Sequence, residues 1–141
     1  MIINKREIKF RAYNRDWNMT LPVDEIKFEN GEAVSVSVTI KASDYDHKGE
    51  WEDYIVGDEI TIEQFTGLHD KNDKEIYEGD ILGGIYDGGY ISWCEKCKQF
   101  QYFRCKDECF ACGGDVHWSE LLVEEELEVI GNIHENPELL K

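Results

Sequence analysis

The stretch AVSVSVTIK, Ala33 to Lys41, has an apolar side chain at every second position. Successive side chains of a β-strand point to opposite faces, so this alternation separates apolar side chains from small polar ones. Valine, isoleucine and threonine are also enriched in strands. The stretch therefore predicts a half-buried β-strand. Its apolar face consists of Val34, Val36, Val38 and Ile40.

Weaker strand patterns of the same kind lie on both sides of this stretch. They are REIKFRAYN at 6–14, IEQFTGL at 62–68, the pair 81–86 and 90–93 joined by DGG, and LEVIGNI at 127–133. Turns are expected at 14–18 and 71–74, because Asn and Asp tolerate positive φ. Residues 43–63 are rich in acids and predict an ordered acidic connection. No repeat and few helical patterns occur, so the sequence predicts a mostly β protein.

The C-terminal segment ENPELL, Glu135 to Leu140, predicts one helical turn. Asn136 is a suitable N-cap residue. Pro137 suits the first helical position, because its missing N–H would have no partner within the helix there.

The chain is strongly acidic. Its 141 residues include 31 acidic and 15 basic ones, a formal net charge of −16. Such a charge repels nucleic acid and membrane surfaces and favours solubility. It is typical of a well-solvated surface, and it also fits an acidic face that engages a basic partner or mimics nucleic acid. The length suits one domain with a core of its own, so we expect a single domain over 1–141.

Neither a membrane span nor a signal peptide is predicted. No stretch of about 18 apolar residues occurs, which is the length that a membrane-crossing helix needs. The N-terminal residues MIINKREIKFRAYNR lack the apolar core of a signal peptide. We therefore expect a cytoplasmic protein without membrane contact, in a compartment where thiols stay reduced.

All five cysteines lie between Cys94 and Cys112, and four of them form two C-x2-C pairs. A two-residue gap lets a tight turn direct both sulfurs at one ion, and two such turns supply the four thiolates of a tetrahedral zinc site. The zinc would be structural, because four protein ligands leave no open position and metal binding helps to fold a small loop. The predicted ligands are Cys94, Cys97, Cys109 and Cys112.

The two C-x2-C turns differ in the residue that follows them. Gly113 and Gly114 follow Cys112 and allow backbone amides to approach sulfur closely. Lys98 follows Cys97 and lacks this freedom, so the first turn is the weaker match to a zinc knuckle.

We expect a zinc-ribbon-like hairpin over 93–118, with KQFQYFR at 98–104 as its first strand. Alternatives remain open. An iron centre needs the same sulfur geometry, and Cys105 or His117 could replace one ligand. Disulfides conflict with the odd cysteine count and the reducing compartment. A catalytic cysteine would need a nearby base, and His117 is the histidine near in sequence.

Basic and aromatic residues are interspersed between Cys94 and His117, and together they could hold phosphates and stack bases. However, four basic and four acidic residues cancel in this range, and the −16 charge lies elsewhere. A neutral patch on a negative protein attracts phosphates poorly. Aromatic packing around the hairpin is therefore the first interpretation, and nucleic-acid binding by the hairpin is the second.

No catalytic constellation is found in the sequence. The glycine-rich segment GGIYDGG at 83–89 precedes strand-like sequence, not a helix whose N-terminus could hold phosphate. None of the histidines has a serine or cysteine partner in a recognised motif. These are His47, His69, His117 and His134. We therefore expect a non-enzymatic protein that binds a protein partner through its acidic surface.

Three blocks outside the cysteine-rich segment resemble the YopX family of phage and prophage proteins. They are REIKFRAYNRDWNM at 6–19, FTGLHDKNDKEIYEGDIL at 65–82 and EVIGNIHENPELL at 128–140. The blocks cover both ends and the middle of the chain, and their order makes the combination specific. Asp73 departs from the family pattern, in which glycine is common at this position of the turn.

The resemblance implies a mostly β protein with a small α+β N-terminal part and an SH3-like barrel after YEGDI, with the zinc hairpin inserted in a barrel loop. It also implies a bacterial or phage origin and assembly into homo-oligomers, and it implies no catalytic activity. In the EGD segment, Gly79 is expected to supply a turn conformation that other residues rarely adopt. Asp80 is expected to accept a hydrogen bond from a nearby amide.

Overall fold

The computed structural model describes residues 7–39, 51–84, 88–104, 109, 112 and 126–140. These residues form β1 (Phe10–Asn14), β2 (Met19–Pro22), β3 (Glu25–Glu29), β4 (Glu32–Thr39), β5 (Trp51–Ile55), β6 (Ile60–His69), β7 (Glu75–Tyr77), β8 (Asp80–Leu82), β9 (Gly89–Cys94), β10 (Gln99–Phe103) and β11 (Val129–Asn132), followed by a 3-10 helix at Pro137–Leu139. The prediction of a mostly β fold is confirmed, and one sheet is curled into a half-barrel. In the described part of the chain, no helix combines the length and apolarity needed to cross a membrane.

The chain divides into two compact units. The N-terminal unit is Lys9–Gln64, and the C-terminal unit combines Met1–Ile8 with Phe65–Lys141. Strand β6 contributes its first half to the N-terminal unit and its second half to the C-terminal unit. The expectation of one domain over 1–141 stays a prediction, which a single cooperative unfolding transition would bear out.

The N-terminal unit contains two antiparallel arrangements of strands. β1 pairs with β2 and with the first half of β6, and β4 lies between β3 and β5. Val36 and Val38 are 1% and 0% exposed, which confirms these two residues of the apolar face predicted for β4. Val34 is half-buried, and Ile40 lies outside the described residues. The residues 9–39 and 51–64 form strands and turns, so the implied α component has no counterpart among them. The buried core consists of Ala12, Leu21, Val36, Val38 and Ile60.

The described part of the acidic connection predicted over 43–63 is ordered, as expected, but most of it forms strands. β5 pairs with β4 from Ser35↔Ile55 to Thr39↔Trp51, and β6 begins at Ile60. The ladder joins backbone groups, so an acidic segment can form a strand when a neighbouring strand offers partners. Residues 43–50 lie outside the described residues.

The C-terminal unit contains the four-stranded sheet β10-β9-β8-β11, and β7 pairs with the second half of β6. β9 and β11 confirm the strands predicted near 90–93 and 127–133. The strand predicted over 81–86 is observed as β8, and residues 85–87 lie outside the described residues. The core of this unit consists of Ile76, Leu82, Ile91, Tyr102 and Leu127.

The EGD segment forms the predicted turn into β8. Gly79 has a φ of 81°, in the left-handed region that favours glycine. The Asp80 carboxylate accepts a hydrogen bond from the Tyr77 backbone N–H, with an N–O distance of 2.8 Å. Asp73, in the preceding turn, has a φ of 63°, so an aspartate adopts the conformation for which glycine is more common.

Asn136 does not cap the C-terminal 3-10 helix, although Pro137 begins it as predicted. The Asn136 carboxamide oxygen instead accepts a hydrogen bond from the Asn132 backbone N–H, at 3.2 Å. The helical turn is only three residues long. The Asn136 side chain therefore joins this turn to the end of β11.

Asp70 connects the turn after β6 to β11. Its carboxylate accepts hydrogen bonds from the backbone N–H groups of Asn72 at 2.8 Å, Lys74 at 3.0 Å and Val129 at 3.0 Å. Burial raises the pKa of Asp70, but the hydrogen bonds from the three amides outweigh it and lower the pKa below its ordinary value. The carboxylate form of Asp70 therefore stabilises the folded chain.

We expect Asp70→Asn to lower the free energy of unfolding by about 2 kcal/mol at neutral pH, because an amide oxygen accepts these hydrogen bonds more weakly than a carboxylate. A carboxyl group whose pKa is lower in the folded state stabilises the folded protein at pH values above its unfolded-state pKa. This stabilisation is lost as the pH falls through the folded-state pKa. The difference between wild type and variant should therefore shrink below about pH 4. Urea denaturation across this pH range measures it.

Asp73→Asn is the matched control for this variant, because Asp73 lies in the same turn but is exposed. Asparagine tolerates the positive φ of this position, so the control should change stability by less than about 0.5 kcal/mol. A stability difference for Asp70→Asn that stays constant down to about pH 2 would contradict the role assigned to the Asp70 carboxylate.

Candidate metal centre

The first C-x2-C pair forms the turn of a hairpin between β9 and β10. The strands pair from Cys94↔Gln99 to Tyr90↔Phe103. The Lys98 N–H donates to the Cys94 carbonyl oxygen at 2.8 Å, and Lys98 has a φ of 55°. Lys98 therefore adopts a left-handed conformation that favours glycine, at the cost of some backbone strain.

This pairing corrects the prediction that 98–104 is the first strand of a hairpin within the cysteine gap. β10 is the second strand of the β9–β10 hairpin, since it pairs along its whole length with β9. Its pairing with the following segment, in the described residues, is the bridge Phe103↔Cys109. The first C-x2-C pair itself forms the turn of this hairpin, because it is short enough to reverse the chain between two adjacent antiparallel strands.

The second pair, Cys109 and Cys112, is joined by a hydrogen bond between its own members. The Cys112 backbone N–H donates a hydrogen bond to the Cys109 sulfur, with an N–S distance of 3.3 Å. The bridge to Phe103 places Cys109 beside the end of β10. Both C-x2-C turns therefore approach the same end of the β9–β10 hairpin.

The four sulfurs are close enough for one ion. Sγ–Sγ distances are 3.6 Å for Cys94 and Cys112, 3.7 Å for Cys97 and Cys109, and 3.4 Å for Cys97 and Cys112. All four lie within 4.8 Å of one another, and all four cysteines are free thiols. A tetrahedron with metal–sulfur bonds of about 2.3 Å has edges of about 3.8 Å. The sulfur positions therefore fit a tetrahedral metal ion.

The pKa values of the cluster show how a cation would stabilise it. The pKa of Cys94 is lowered to about 7, chiefly by the hydrogen bond from the Cys97 backbone N–H and against the effect of burial. The pKa of Cys112 is raised, because its thiol proton is held in hydrogen bonds with the sulfurs of Cys97, Cys109 and Cys94. Four thiolates at these distances repel one another, so complete ionisation requires a cation between them.

Comparison with known proteins shows which family this chain belongs to. The family model for YopX protein matches residues 9–141. The chain belongs to the YopX family. The crystal structure of protein EF1440 from Enterococcus faecalis is similar to it, with 29% sequence identity, a TM-score of 0.60, and coverage of 97% of this chain and 100% of that chain. The search of curated proteins found no match.

The predicted ligand set of this YopX-family chain is brought together as a group. Cys94 and Cys109 are buried, and Cys97 and Cys112 are half-buried. The alternative ligands Cys105 and His117, and the glycines Gly113 and Gly114, lie outside the described residues. Of the hairpin predicted over 93–118, the described residues are 93–104, 109 and 112.

An aromatic pair beside the sulfurs of the YopX-family chain was missed by the sequence analysis. The rings of Tyr90 and Phe103 stack with centroids 5.5 Å apart and planes inclined by 20°. Both residues pack with Cys94 and Cys109 in one apolar cluster. The pair could have been predicted from the two strands, because aromatic residues opposite each other on antiparallel strands form favourable cross-strand pairs.

Trp93 and Phe100 form a second aromatic pair on the hairpin. Their rings meet edge to face, with centroids 5.3 Å apart, and Trp93 is 42% exposed. The adjacent turn carries Lys98, which makes a salt bridge of 2.8 Å with Glu95. This face of the YopX-family chain therefore presents an aromatic surface beside a neutralised charge pair.

Gln101, on β10, is fully buried, and its carboxamide nitrogen and oxygen have no hydrogen-bond partner among the described residues. A buried amide without partners destabilises, so Gln101→Met is expected to leave stability unchanged or raise it by up to about 1 kcal/mol. Gln99→Met on the same strand is the matched comparison, because Gln99 does have an interaction to lose. Thermal unfolding of both variants measures the effect. A loss of more than about 1 kcal/mol for Gln101→Met would show that its amide is satisfied.

Proposed function

We propose that the four-cysteine centre binds one structural Zn²⁺ and that the protein acts by binding a protein partner, without catalysis. The observation that carries the metal proposal is the agreement between the sulfur distances, 3.4 to 3.7 Å, and the edges of a zinc–thiolate tetrahedron. The net charge of −16 supports a partner with a basic surface.

The proposed role of the zinc is to hold the segment after β10 against the hairpin turn. In the described residues, the backbone link between them is the bridge Phe103↔Cys109. A metal shared by Cys94 and Cys97 on one side and Cys109 and Cys112 on the other adds four bonds to this link. Four sulfur ligands leave no position for substrate, which supports a structural role over a catalytic one.

Cobalt substitution tests this arrangement directly. Co²⁺ in a tetrahedral site with four thiolates gives intense absorption, whereas an octahedral oxygen site does not. We expect the purified protein to be colourless with zinc and to develop this absorption on exchange with Co²⁺. Visible colour in the purified protein before exchange would indicate iron instead.

We place the protein-binding surface on the β3–β4 hairpin of the N-terminal unit. β3 is an edge strand of its three-stranded sheet, and Phe28 on it is 58% exposed. Phe28 lies between Lys27 and Glu29, which form a salt bridge of 2.9 Å, and opposite Ala33 on β4. The same hairpin carries the exposed carboxylates of Glu25, Glu29 and Glu32. An exposed apolar side chain on a hairpin where exposed carboxylates outnumber the one lysine suits a partner that offers an apolar pocket with basic residues near it.

Affinity capture from bacterial lysate tests this proposal when it is run on matched variants. We expect proteins that wild type retains at low salt to be lost at about 0.5 M salt. Phe28→Ser should lose them and Ile8→Ser should keep them, because Ile8 is 64% exposed but lies in the other unit. Equal capture by both variants, or no reproducible capture at low salt, would contradict a docking surface on β3.

A second candidate function is nucleic-acid binding by the zinc hairpin. Its support is the exposed ring of Trp93 and the exposed Lys96 next to it. Against it, Lys98 is paired with Glu95, and the chain as a whole is strongly negative. A gel-shift series at low salt separates the candidates. If the protein retards single-stranded nucleic acid and Trp93→Ala abolishes the retardation, nucleic-acid binding is favoured. If nothing is retarded, nucleic-acid binding is ruled out.

The proposal also includes the cellular location, the origin and the assembly state of the protein. Free thiols at the centre suit the reducing cytoplasm of a bacterial cell. Phage or prophage origin and assembly into homo-oligomers stay predictions from the family resemblance. Light scattering during size-exclusion chromatography measures the assembly state, and a mass equal to one chain of 16.5 kDa would contradict the oligomer.

A further inference from the structure

The four sulfurs of the centre differ in their access to solvent. Cys94 and Cys109 are 6% and 1% exposed, whereas Cys97 and Cys112 are only half-buried. The two half-buried residues also make the shortest Sγ–Sγ contact of those measured, 3.4 Å. They come from different C-x2-C turns, so a bond between them would join the hairpin turn to the following segment.

A cavity of about 180 Å³ lies against the centre. Trp93 in its wall is 42% exposed and Lys96 is exposed, so the cavity reaches the protein surface. Hydrogen peroxide is little larger than water, which needs only about 30 Å³. The cavity is lined by Trp93, Cys94, Glu95, Lys96, Phe103, Cys109 and Cys112.

We propose that Cys97 and Cys112 are an oxidation-sensitive pair, which a peroxide converts into a disulfide with release of the metal. This inference rests on the proposed zinc centre. Three cysteines border the cavity, and Cys112 reacts first because it is half-buried whereas Cys94 and Cys109 are buried. Its thiolate attacks one peroxide oxygen, the O–O bond breaks, a sulfenic acid forms and hydroxide leaves.

The second step closes the disulfide. The Cys97 thiolate attacks the sulfenic acid sulfur, the S–O bond breaks, the S–S bond forms and a second hydroxide leaves. Two thiolates together lose two electrons, and one hydrogen peroxide gains them as it is reduced to two hydroxide ions. The sulfurs must approach from 3.4 Å to about 2.05 Å for this bond to form.

The disulfide would replace the metal as the link between the two turns. Cys94 and Cys109 remain as two sulfurs, which is too few for a tetrahedral site. Metal leaves, but the hairpin turn stays connected to the segment after β10 through Cys97 and Cys112. We therefore infer that oxidation exchanges a metal link for a covalent one and leaves the hairpin in place.

The test treats zinc-loaded full-length protein with hydrogen peroxide and follows zinc release with a chromophoric chelator. Remaining thiols are then alkylated, and the disulfide is mapped by mass spectrometry. We expect one zinc released per disulfide, a Cys97–Cys112 bond as the first product, and recovery of zinc binding after reduction. Cys105→Ser is the control, because Cys105 could otherwise supply the second sulfur of the disulfide. This variant should behave as wild type.

The outcomes separate this inference from the zinc proposal. Protein that carries no zinc before treatment would overturn the centre and this inference together. Zinc retained while other thiols are oxidised, or a first disulfide that includes Cys94, Cys105 or Cys109, would overturn the inference and leave the zinc centre standing. Loss of the folded circular dichroism signal on oxidation would contradict the preserved hairpin.

Discussion

Cys109→Ser is expected to abolish stoichiometric zinc binding and to lower the free energy of unfolding on the order of 5 kcal/mol or more, a part of the roughly 10–16 kcal/mol that structural zinc supplies to small domains. Cys109 is 1% exposed, and its sulfur both approaches Cys97 and accepts the Cys112 N–H. A serine hydroxyl is shorter and does not ionise at neutral pH, so it cannot replace the thiolate. Metal analysis and urea denaturation measure the two effects.

Cys105→Ser is the control for Cys109→Ser, because Cys105 belongs to the same segment but is not a predicted ligand. It should keep the zinc and change stability by less than about 1 kcal/mol. Loss of zinc from Cys105→Ser, with retention by Cys109→Ser, would mean that the ligand set is Cys94, Cys97, Cys105 and Cys112.

Gly89→Ala is expected to lower the free energy of unfolding by about 3 kcal/mol or more, because a methyl group there overpacks the core. A Cβ on Gly89 would overlap the ring atoms Cζ, Cε2 and Oη of Tyr102. Tyr102 is 1% exposed and packs with Ile91 and Leu82, so its ring has little room to move. Urea denaturation of the purified variant gives the value.

A double-mutant cycle shows whether Tyr102 causes this loss. In a Tyr102→Ala background the ring is absent, so adding Gly89→Ala should cost less than about 1 kcal/mol. Gly31→Ala is the comparison for backbone effects, since Gly31 has a φ of 85° and open space around it; we expect a loss of about 1 kcal/mol. An equal cost of Gly89→Ala in both backgrounds would rule out the overlap as its cause.

The cluster of four cysteines and the central strand were predictable because each depends on short-range chemistry. Two C-x2-C pairs can direct sulfur at one ion whatever the surrounding fold, and the structure brings Cys94, Cys97, Cys109 and Cys112 within 4.8 Å. The alternation in β4 likewise needs only its own side chains, and Val36 and Val38 are buried as predicted.

Features that depend on strand pairing were harder to predict. The hairpin β3–β4 was missed, although Asn30 and Gly31 at its turn, with φ values of 51° and 85°, are a strong hairpin signal. β10 was assigned to the wrong hairpin, because its partner β9 precedes the C-x2-C turn. The overlap between Gly89 and Tyr102 arises only across the completed β9–β10 ladder, so no local pattern indicates it.

The metal content of the purified protein tests the central claim most directly. Elemental analysis by mass spectrometry, with thiol titration under native conditions, should find one zinc per chain and at most one reactive cysteine, Cys105, because the account makes the other four ligands. After denaturation in chelator, all five cysteines should react. A folded protein without stoichiometric metal, or with all five thiols reactive in the native state, would contradict the account.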